Sequence, residues 1–398
     1  MNNKTLFGLA IAAAVAIVAA MLLNRHDAPR SDLAADQAWL APALRDHVND
    51  VDRIVLKGAG NSTLATLARG DKGWSLAEKG GYAVDTGKVR ELLLKLADAR
   101  LVEAKTSNAD KYAVLGVQDV DAAGAKGTLL ELGGLAQPFA LVVGDSNPRG
   151  GTYVRRAGES QSWLTSASLM LDKDPVKWLQ PELASIAASR IAQVDIRHGD
   201  GTRVHIAKQA EGESDFTLAD VPKGREAGDA FAINSIAGVL DGLRLEDVQR
   251  VGEAPVAANA LKARFETFDG MVVVVTAWMH ADKHLATLEA SLDSARADHA
   301  VDAAQAKAKA DYDKAVADAA AAPKPQEQAA NDVPLKPLAL TDPAKDREQR
   351  LTKLKAEVDA LNTRVTGWAF VLPAYKYASL DKPLADLLKP VEAKTGKR

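Results

Sequence analysis

His280 and His284 stand four residues apart, the spacing that puts two imidazoles on one face of a helix and lets them share a metal ion. Between them lie Ala281, Asp282 and Lys283, so the glutamate a zincin motif uses as general base is missing. The pair also stands where a strand gives way to a turn or helix, and the expectation is two exposed histidines. His198 and His205 flank Gly199-Asp200-Gly201, a run suited to a hairpin turn. Cross-strand histidines there could share a face, but ordinary hairpin positions are the plainer reading. The richest polar loop is Gly144-Asp145-Ser146-Asn147-Pro148-Arg149-Gly150-Gly151. Its amides could nest an anion beside Arg149, Arg155 and Arg156. It lacks the Gly-Lys-Ser/Thr ending of a P-loop, and its residues suit a long hairpin loop equally well. No Gly-x-Ser-x-Gly elbow occurs. The chain has no cysteine, which excludes disulfides, thiolate metal sites, iron–sulfur clusters, a cysteine nucleophile and a lipidated N-terminal cysteine. These residues nominate no catalytic, cofactor or metal site, leave any binding residue unspecified, and predict a protein that is not an enzyme.

The elements that carry these residues belong to a chain of 398 residues, enough for two or three domains with real cores. Hydrophobic residues make up 47%, which rules out disorder over the whole length. A net charge of −3 gives no general attraction to nucleic acid, and none is expected as a partner.

Self-comparison organises the chain. A period-two strand opens at Val51-Asp52-Arg53-Ile54-Val55-Leu56 and again at Ile191-Ala192-Gln193-Val194-Asp195-Ile196. A second strand follows each, at 62–69 and 202–208. A third follows, Gly73-Trp74-Ser75-Leu76-Ala77 against Asp215-Phe216-Thr217-Leu218-Ala219. Each copy then has an amphipathic helix. One spans 85–99 with Val89, Leu92, Leu93 and Leu96 on one side; the other spans 230–243 with Ile233, Ile236, Ala237 and Leu240. Both helices run into a similar phrase, Arg100-Leu101-Val102-Glu103 and Arg244-Leu245-Glu246-Asp247.

The first copy continues with strands at 128–132, 139–144, 152–156 and 162–165. In the second, 263–268 and 271–278 play those parts, and Trp368-Ala369-Phe370 answers Trp163-Leu164-Thr165. Amphipathic ends at 169–183 and 375–388 also match. Ile54 is thus expected to be equivalent to Val194, Trp74 to Phe216 and Trp163 to Trp368. The offset is 140 at Ile54/Val194, 144 at Arg100/Arg244 and 205 at Trp163/Trp368, so one insertion of about 60 residues enters the second copy.

That insertion spans about 291–361. Half of residues 295–322 are alanine, a composition that favours helix. Pro323, Pro325, Pro334, Pro337 and Pro343 then interrupt it. A second helix shows Leu351, Leu354, Val358, Leu361 and Val365 in coiled-coil-like three–four spacing. A helical hairpin with a proline-rich tip is expected; a solvated or disordered spacer is the alternative. Because the first copy lacks such an arm, the hairpin is expected to lie outside either core, and deleting 295–346 to leave folding intact.

Residues 5–23 carry no charge and no proline, and span roughly 28 Å as a helix, enough for a bilayer core. Asn24, Arg25 and His26 follow at once. An uncleaved anchor in the bacterial inner membrane is expected; a cleaved signal peptide ending near Ala19 and Ala20 is the rival. Lys4 and the amino terminus nearly balance Arg25 and Arg30, but so short a head usually stays in the cytoplasm, which puts the bulk of the chain in the periplasm. The expected organisation is an anchor at 1–23, a tether at 24–50, a first module at 51–188, a second at 189–390 and a tail at 391–398. The fold class is α+β: a transmembrane helix, then two duplicated, mainly antiparallel sheet modules with packed helices, the second bearing the helical hairpin.

An N-terminal anchor, Ile54-Val55-Leu56, Gly73-Trp74-Ser75-Leu76, a leucine-rich helix, Lys111-Tyr112-Ala113-Val114-Leu115-Gly116-Val117, Leu141-Val142-Val143-Gly144-Asp145 and Thr152-Tyr153-Val154-Arg155 follow one another. In this order the chain resembles the bacterial domain-of-unknown-function family 4340 over most of 50–390. That family resembles gliding-motility-type auxiliary proteins encoded beside ABC-transporter ATPase and permease genes. The resemblance does not extend to the alanine-rich insertion and transfers no site residue. It implies a non-enzymatic, periplasm-facing auxiliary or scaffold component of an ABC-type transport or export system, with a permease/ATPase complex as partner. A periplasmic ligand-binding protein with its pocket between the modules is the alternative.

Overall fold

The computed structural model describes residues 38–321 and 335–390. The expected anchor at 5–23, most of the tether, Pro323, Pro325 and Pro334 of the hairpin tip, and the tail at 391–398 lie outside the described residues. Among the described residues, no helix is long and apolar enough to cross a membrane.

The fold is α+β and its sheets are antiparallel. Strands β1 Arg53–Lys57, β2 Thr63–Gly70, β3 Gly73–Leu76 and β4 Tyr82–Ala83 precede helix α1, Thr86–Asp98. Next come β5 Leu101–Ala104, β6 Thr128–Gly133, β7 Phe139–Ser146, β8 Thr152–Arg156, β9 Ser162–Thr165 and β10 Glu182–Ala184. The second copy comprises β11 Ile191–Arg197, β12 Arg203–Ala207, β13 Thr217–Leu218, helix α2 Ala230–Ala237, β14 Leu243–Arg244 and β15 Asp247–Arg250. It continues with β16 Leu261–Thr267, β17 Met271–His280, β18 Lys283–Leu292, helices α3 Ser294–Ala321 and α4 Pro343–Val365, β19 Trp368–Val371 and α5 Ala374–Leu380.

One sheet runs β4-β3-β2-β1-β6-β7-β8-β9-β5 and the other β13-β12-β11-β16-β17-β18-β19-β15. With β4 set aside the two orders are the same, strand for strand. Registers agree in detail. Leu76 pairs with Leu67 two residues after Trp74, and Leu218 with Ile206 two residues after Phe216. Trp163 lies on β9, which pairs with β5, and Trp368 on β19, which pairs with β15, the strand in the same place in the second sheet. The helix entries match too: Val84 bridges Leu179 just before α1, and Ala227 bridges Leu388 just before α2. The apolar stripes point inward as their spacing predicts, with Val89, Leu92, Leu93 and Leu96 buried on α1, and Ile233, Ile236, Ala237 and Leu240 buried on and after α2.

Several expectations are corrected. Leu40 and Leu44 are fully buried, and the Trp39 indole lies between the guanidinium groups of Arg45 and Arg100, 3.7 and 3.6 Å from its centroid. Ordered structure therefore begins before Val51. The matched ends do correspond at a 3-10 turn, Pro175–Trp178 and Leu384–Leu387, followed at once by the bridging residues Leu179 and Leu388, and differ around it. Residues 375–388 contain most of α5 and a 3-10 turn, whereas 169–183 hold a 3-10 turn, Pro175–Trp178, and most of the edge strand β10. Pro175 and Pro181 forbid a continuous helix there. Arg244-Leu245-Glu246-Asp247 is split between β14, which pairs with β10, and β15. The segment after Trp278 is a full strand, β18, paired along its length with β17.

By compactness the described residues form two units. One holds the chain up to Leu64 with Val89–Lys173; the other holds Ala65–Lys88 with the chain from Asp174 onward. In the first, Ile54, Leu56, Leu130, Leu141 and Val154 are buried on the sheet, and Tyr112, Val117 and Val142 form a smaller cluster. In the second, Tyr82 meets Trp368 and Phe370 edge-on at 5.0 and 5.7 Å. Nearby Lys79 Nζ pairs with Asp247 Oδ1 at 2.5 Å.

The inserted hairpin is helical on both described arms. It is not wholly outside the core. Ala297 and Val301 of α3 and Leu354, Val358, Leu361 and Val365 of α4 are buried. The Asn362 side chain donates to Ala290 O at 2.8 Å and accepts from Ala290 N at 2.9 Å, tying α4 to β18. Gly270 (φ +93°) makes the approach of α3 possible, since a Cβ there would sit 2.7 Å from Ala297 N and from Asp293 O. Deletion of 295–346 would therefore remove buried residues at the base along with the distal arm.

Candidate functional site

The histidines flagged by spacing are not paired as metal ligands. His280 and Lys283 face each other across the β17–β18 hairpin, whose turn residues Ala281 and Asp282 have φ of +46° and +62°. His284 pairs with Met279 one step along, so alternation sends His280 and His284 to opposite faces. His198 and His205 part in the same way. The His198 amide donates to Thr202 O, whereas His205 lies opposite Asp195 and faces its carboxylate at 3.5 Å. Among the described residues no group of three His, Asp or Glu side chains could hold a metal ion.

The polar loop is a turn that uses its own amides. Asn147 N donates to Gly151 O, Gly150 N to Asn147 O, and Arg149 N to the Asn147 side chain at 2.9 Å. The arginines beyond it are engaged elsewhere. Arg155 is buried, stacks on Tyr112, and donates to Val117 O, Glu159 O and Asp119. Arg156 donates to Leu40 O at 2.7 Å.

Structure brings two of the flagged histidines to one region of the second unit. A cleft of about 560 Å³ opens between the β11–β12 turn, the start of β16, the end of β17 and the segment around α5. Its wall includes His198, Trp278, Met279 and Tyr377, and Asp200 and Asp381 stand at its edge. Gly199 lets the turn close on Asn259, because a Cβ there would lie 2.1 Å from Asn259 O. His284 stacks on Tyr377 with ring centroids 4.3 Å apart. Burial, together with the neighbouring Asp381 charge, pushes the Tyr377 phenol above its ordinary pKa. His198 Nδ1 faces Asp381 Oδ1 at 3.6 Å. His198 Nε2 and Trp278 Nε1 are both buried without a hydrogen-bond partner. No lysine or arginine is among the described residues lining the cleft. Sequence reading singled out the histidines but missed Trp278, Tyr377 and Asp381, which arrive from segments far apart in the chain.

Nearby, Lys376 at the start of α5 is buried and donates to Gly238 O and Asp241 O, both at 2.7 Å. Its ammonium caps carbonyls at the end of the α2 segment. Burial lowers its pKa, and the Asp241 charge opposes that only partly.

At the hairpin base, polar contacts join the two arms. Arg347 of α4 donates to Asp298 Oδ1 at 2.7 Å and to Asp302. Gln305 donates to Pro343 O and to Asp346 Oδ2, and Arg350 Nε to Asp346 Oδ2 at 2.9 Å. The Arg350 hydrogen bond leads in holding the Asp346 carboxyl below its usual range. Arg190 joins the base to the sheet through Asp269 and Glu357, each at 2.7 Å. Farther out, α3 shows Lys307–Asp311 and Lys309–Asp313 pairs one helical turn apart on exposed side chains.

Residues 74–263 match the family described as "Domain of unknown function (DUF4340)". No curated protein and no solved structure matches the chain.

Proposed function

We propose that this is a non-enzymatic, membrane-anchored envelope protein, facing the periplasm, that serves as an auxiliary or scaffold component of an ABC-type transport or export system, with the distal α3–α4 hairpin as its docking element. One observation carries this reading. Strands β8 and β9 are joined by residues 157–161, whereas their counterparts β18 and β19 are joined by residues 293–367. The same strand order is thus built without the hairpin in one copy, so the sheet does not need the distal arm to connect its strands.

The apolar run at 5–23 supports the anchor and the inner-membrane location. The transporter association rests on the resemblance to gliding-motility-type auxiliary proteins, an analogy of family rather than of site. The experiment is affinity purification of the tagged full chain from detergent-solubilised native membranes. A permease and an ATPase should be recovered with it, and recovery of neither would overturn the proposal. A variant that replaces 308–341 by a short flexible linker keeps Asp298, Asp302, Gln305 and all of α4. It should retain cooperative unfolding and lose the partner.

A further inference from the structure

We propose that the open face of the second sheet, where β12, β11 and β16 lie side by side, is a docking surface for an acidic helical segment of a partner protein. The surface uses no residue of the distal hairpin arm and does not depend on its docking role.

Strand register sets the charge pattern. Arg203 pairs with Arg197 and Arg197 with Lys262, so three cations stand directly opposite one another on neighbouring strands. Thr276 and Thr287 continue this row across β17 and β18, and the row holds no carboxylate. Two residues along each strand, on the same face, the next row is His205, Asp195, Arg264, Val274 and Glu289. Asp195 pairs with Arg203 and stands 3.6 Å from Arg197, while Arg264 pairs with Glu266 at 2.7 Å. The side chains of Arg197, Arg203 and Arg264 are nonetheless 75%, 50% and 47% exposed, and Lys262 is exposed beside them. Like charges directly opposite destabilise a sheet, so folding alone does not favour this row. The first sheet has no counterpart. At the matching place Lys57 lies opposite Leu129 and pairs with Glu131 at 2.8 Å, and Glu131 occupies the position that Arg264 holds in the second sheet. A partner bearing carboxylates supplies the counter-charge that the second sheet lacks.

Spacing selects the form of that partner. Neighbouring strands lie about 4.8 Å apart, so the three cations span about 10 Å. Carboxylates three or four residues apart on a helix stand about 5–6 Å apart and match that step, whereas alternate residues of an extended chain are about 6.7 Å apart. The two rows carry no tryptophan, tyrosine or phenylalanine to stack on a base or enter a bilayer, which favours a protein partner over nucleic acid or lipid.

The probe is a fluorescent, alanine-rich peptide of about 20 residues, long enough to be helical, with glutamate at three–four spacing along one face. Fluorescence anisotropy follows its binding to the detergent-solubilised full chain, and the same peptide with glutamine for glutamate is the comparison. The acidic peptide should bind with a Kd of about 10–100 μM at low salt and more weakly as salt is raised, and the glutamine peptide should not bind. Arg197→Thr and Lys262→Thr each place a neutral strand-forming residue in the row. Each should weaken the acidic peptide several-fold, and the two together by about tenfold or more. Their unfolding temperatures should equal or exceed that of the parent chain, because a like-charge contact is relieved. The 308–341 linker variant should bind the peptide as the full chain does, which separates this surface from the arm. No anisotropy change up to about 1 mM peptide would overturn the proposal. So would unchanged affinity in a cooperatively unfolding Arg197→Thr/Lys262→Thr variant, or equal binding of the glutamine peptide. Displacement of the peptide at equal charge concentration by oligothymidine, or by phosphatidylglycerol added to the micelles, would overturn the assignment to a protein partner.

Discussion

Asn362→Ala is the substitution whose sign separates two accounts of α4. On helix propensity alone it should stabilise, because alanine is favoured over asparagine inside a helix by roughly 0.6 kcal/mol. Packing against the sheet predicts the opposite. Strand β19 pairs with β18 only at Leu285 and Ala286, so the ladder has ended before Ala290. There the Asn362 amide takes over, donating to Ala290 O and accepting from Ala290 N. Ala290 is buried, so removing the amide strands both backbone groups. Two net hydrogen bonds contribute about 1 kcal/mol each, and the stranded groups add up to 1–3 kcal/mol apiece where water cannot reach them. Asn362 is only half-buried, so water relieves part of that cost. Net of propensity, a loss of about 2 kcal/mol is expected. For a unit of this size that lowers the melting temperature by roughly 4–8 °C. Urea and thermal unfolding of the full chain in detergent read this directly. A change below about 0.5 kcal/mol, or a gain, would refute the claim that the base of the hairpin belongs to the sheet.

Gly270→Ala should cost about 2–4 kcal/mol, from the positive φ and from the clash with Ala297 N and Asp293 O, measured by the same unfolding. Burial works against the ionised Asp247 carboxyl, but the Lys79 and Val248 hydrogen bonds and the Lys79 and Lys283 charges outweigh it and depress its pKa. Its stabilisation is therefore present above the ordinary carboxylate pKa and lost as pH falls through the depressed one. Lys79→Met should lower stability at pH 7 by about 1 kcal/mol and flatten the acid limb of the stability profile. Lys376 has a lowered pKa, so the folded state binds fewer protons there than the unfolded one, and its contribution to stability rises with pH on approach to the ordinary lysine pKa. Lys376→Met should remove that alkaline rise, seen as a difference in pH-dependent unfolding from the parent chain, and should cost stability at neutral pH by leaving Gly238 O and Asp241 O without their donor.

Where alternation or helical spacing was strict, the sequence was enough. The stripes on α1 and α2 and the aromatic–x–Leu register of β3 and β13 all face inward. Strand β18 was illegible because Leu285, Leu288 and Leu292 are spaced as on a helix, and only pairing with β17 makes them strand positions. The depth to which α4 enters the core depended on Asn362, a polar residue whose partner is backbone and leaves no pattern. The cleft was the least legible feature. His198 and His284 attracted notice for a pairing they do not make, while Trp278, Tyr377 and Asp381 are brought together only by the folding of β17 and α5 against the β11–β12 turn.

The central claim is that a repeated sheet module carries an added hairpin whose distal arm recruits a partner. Its most direct test compares purification of the full chain with that of the 308–341 linker variant from the same solubilised membranes. The account predicts that both unfold cooperatively at similar temperatures, and that permease and ATPase subunits are recovered with the full chain alone. Equal recovery with the trimmed variant would contradict it.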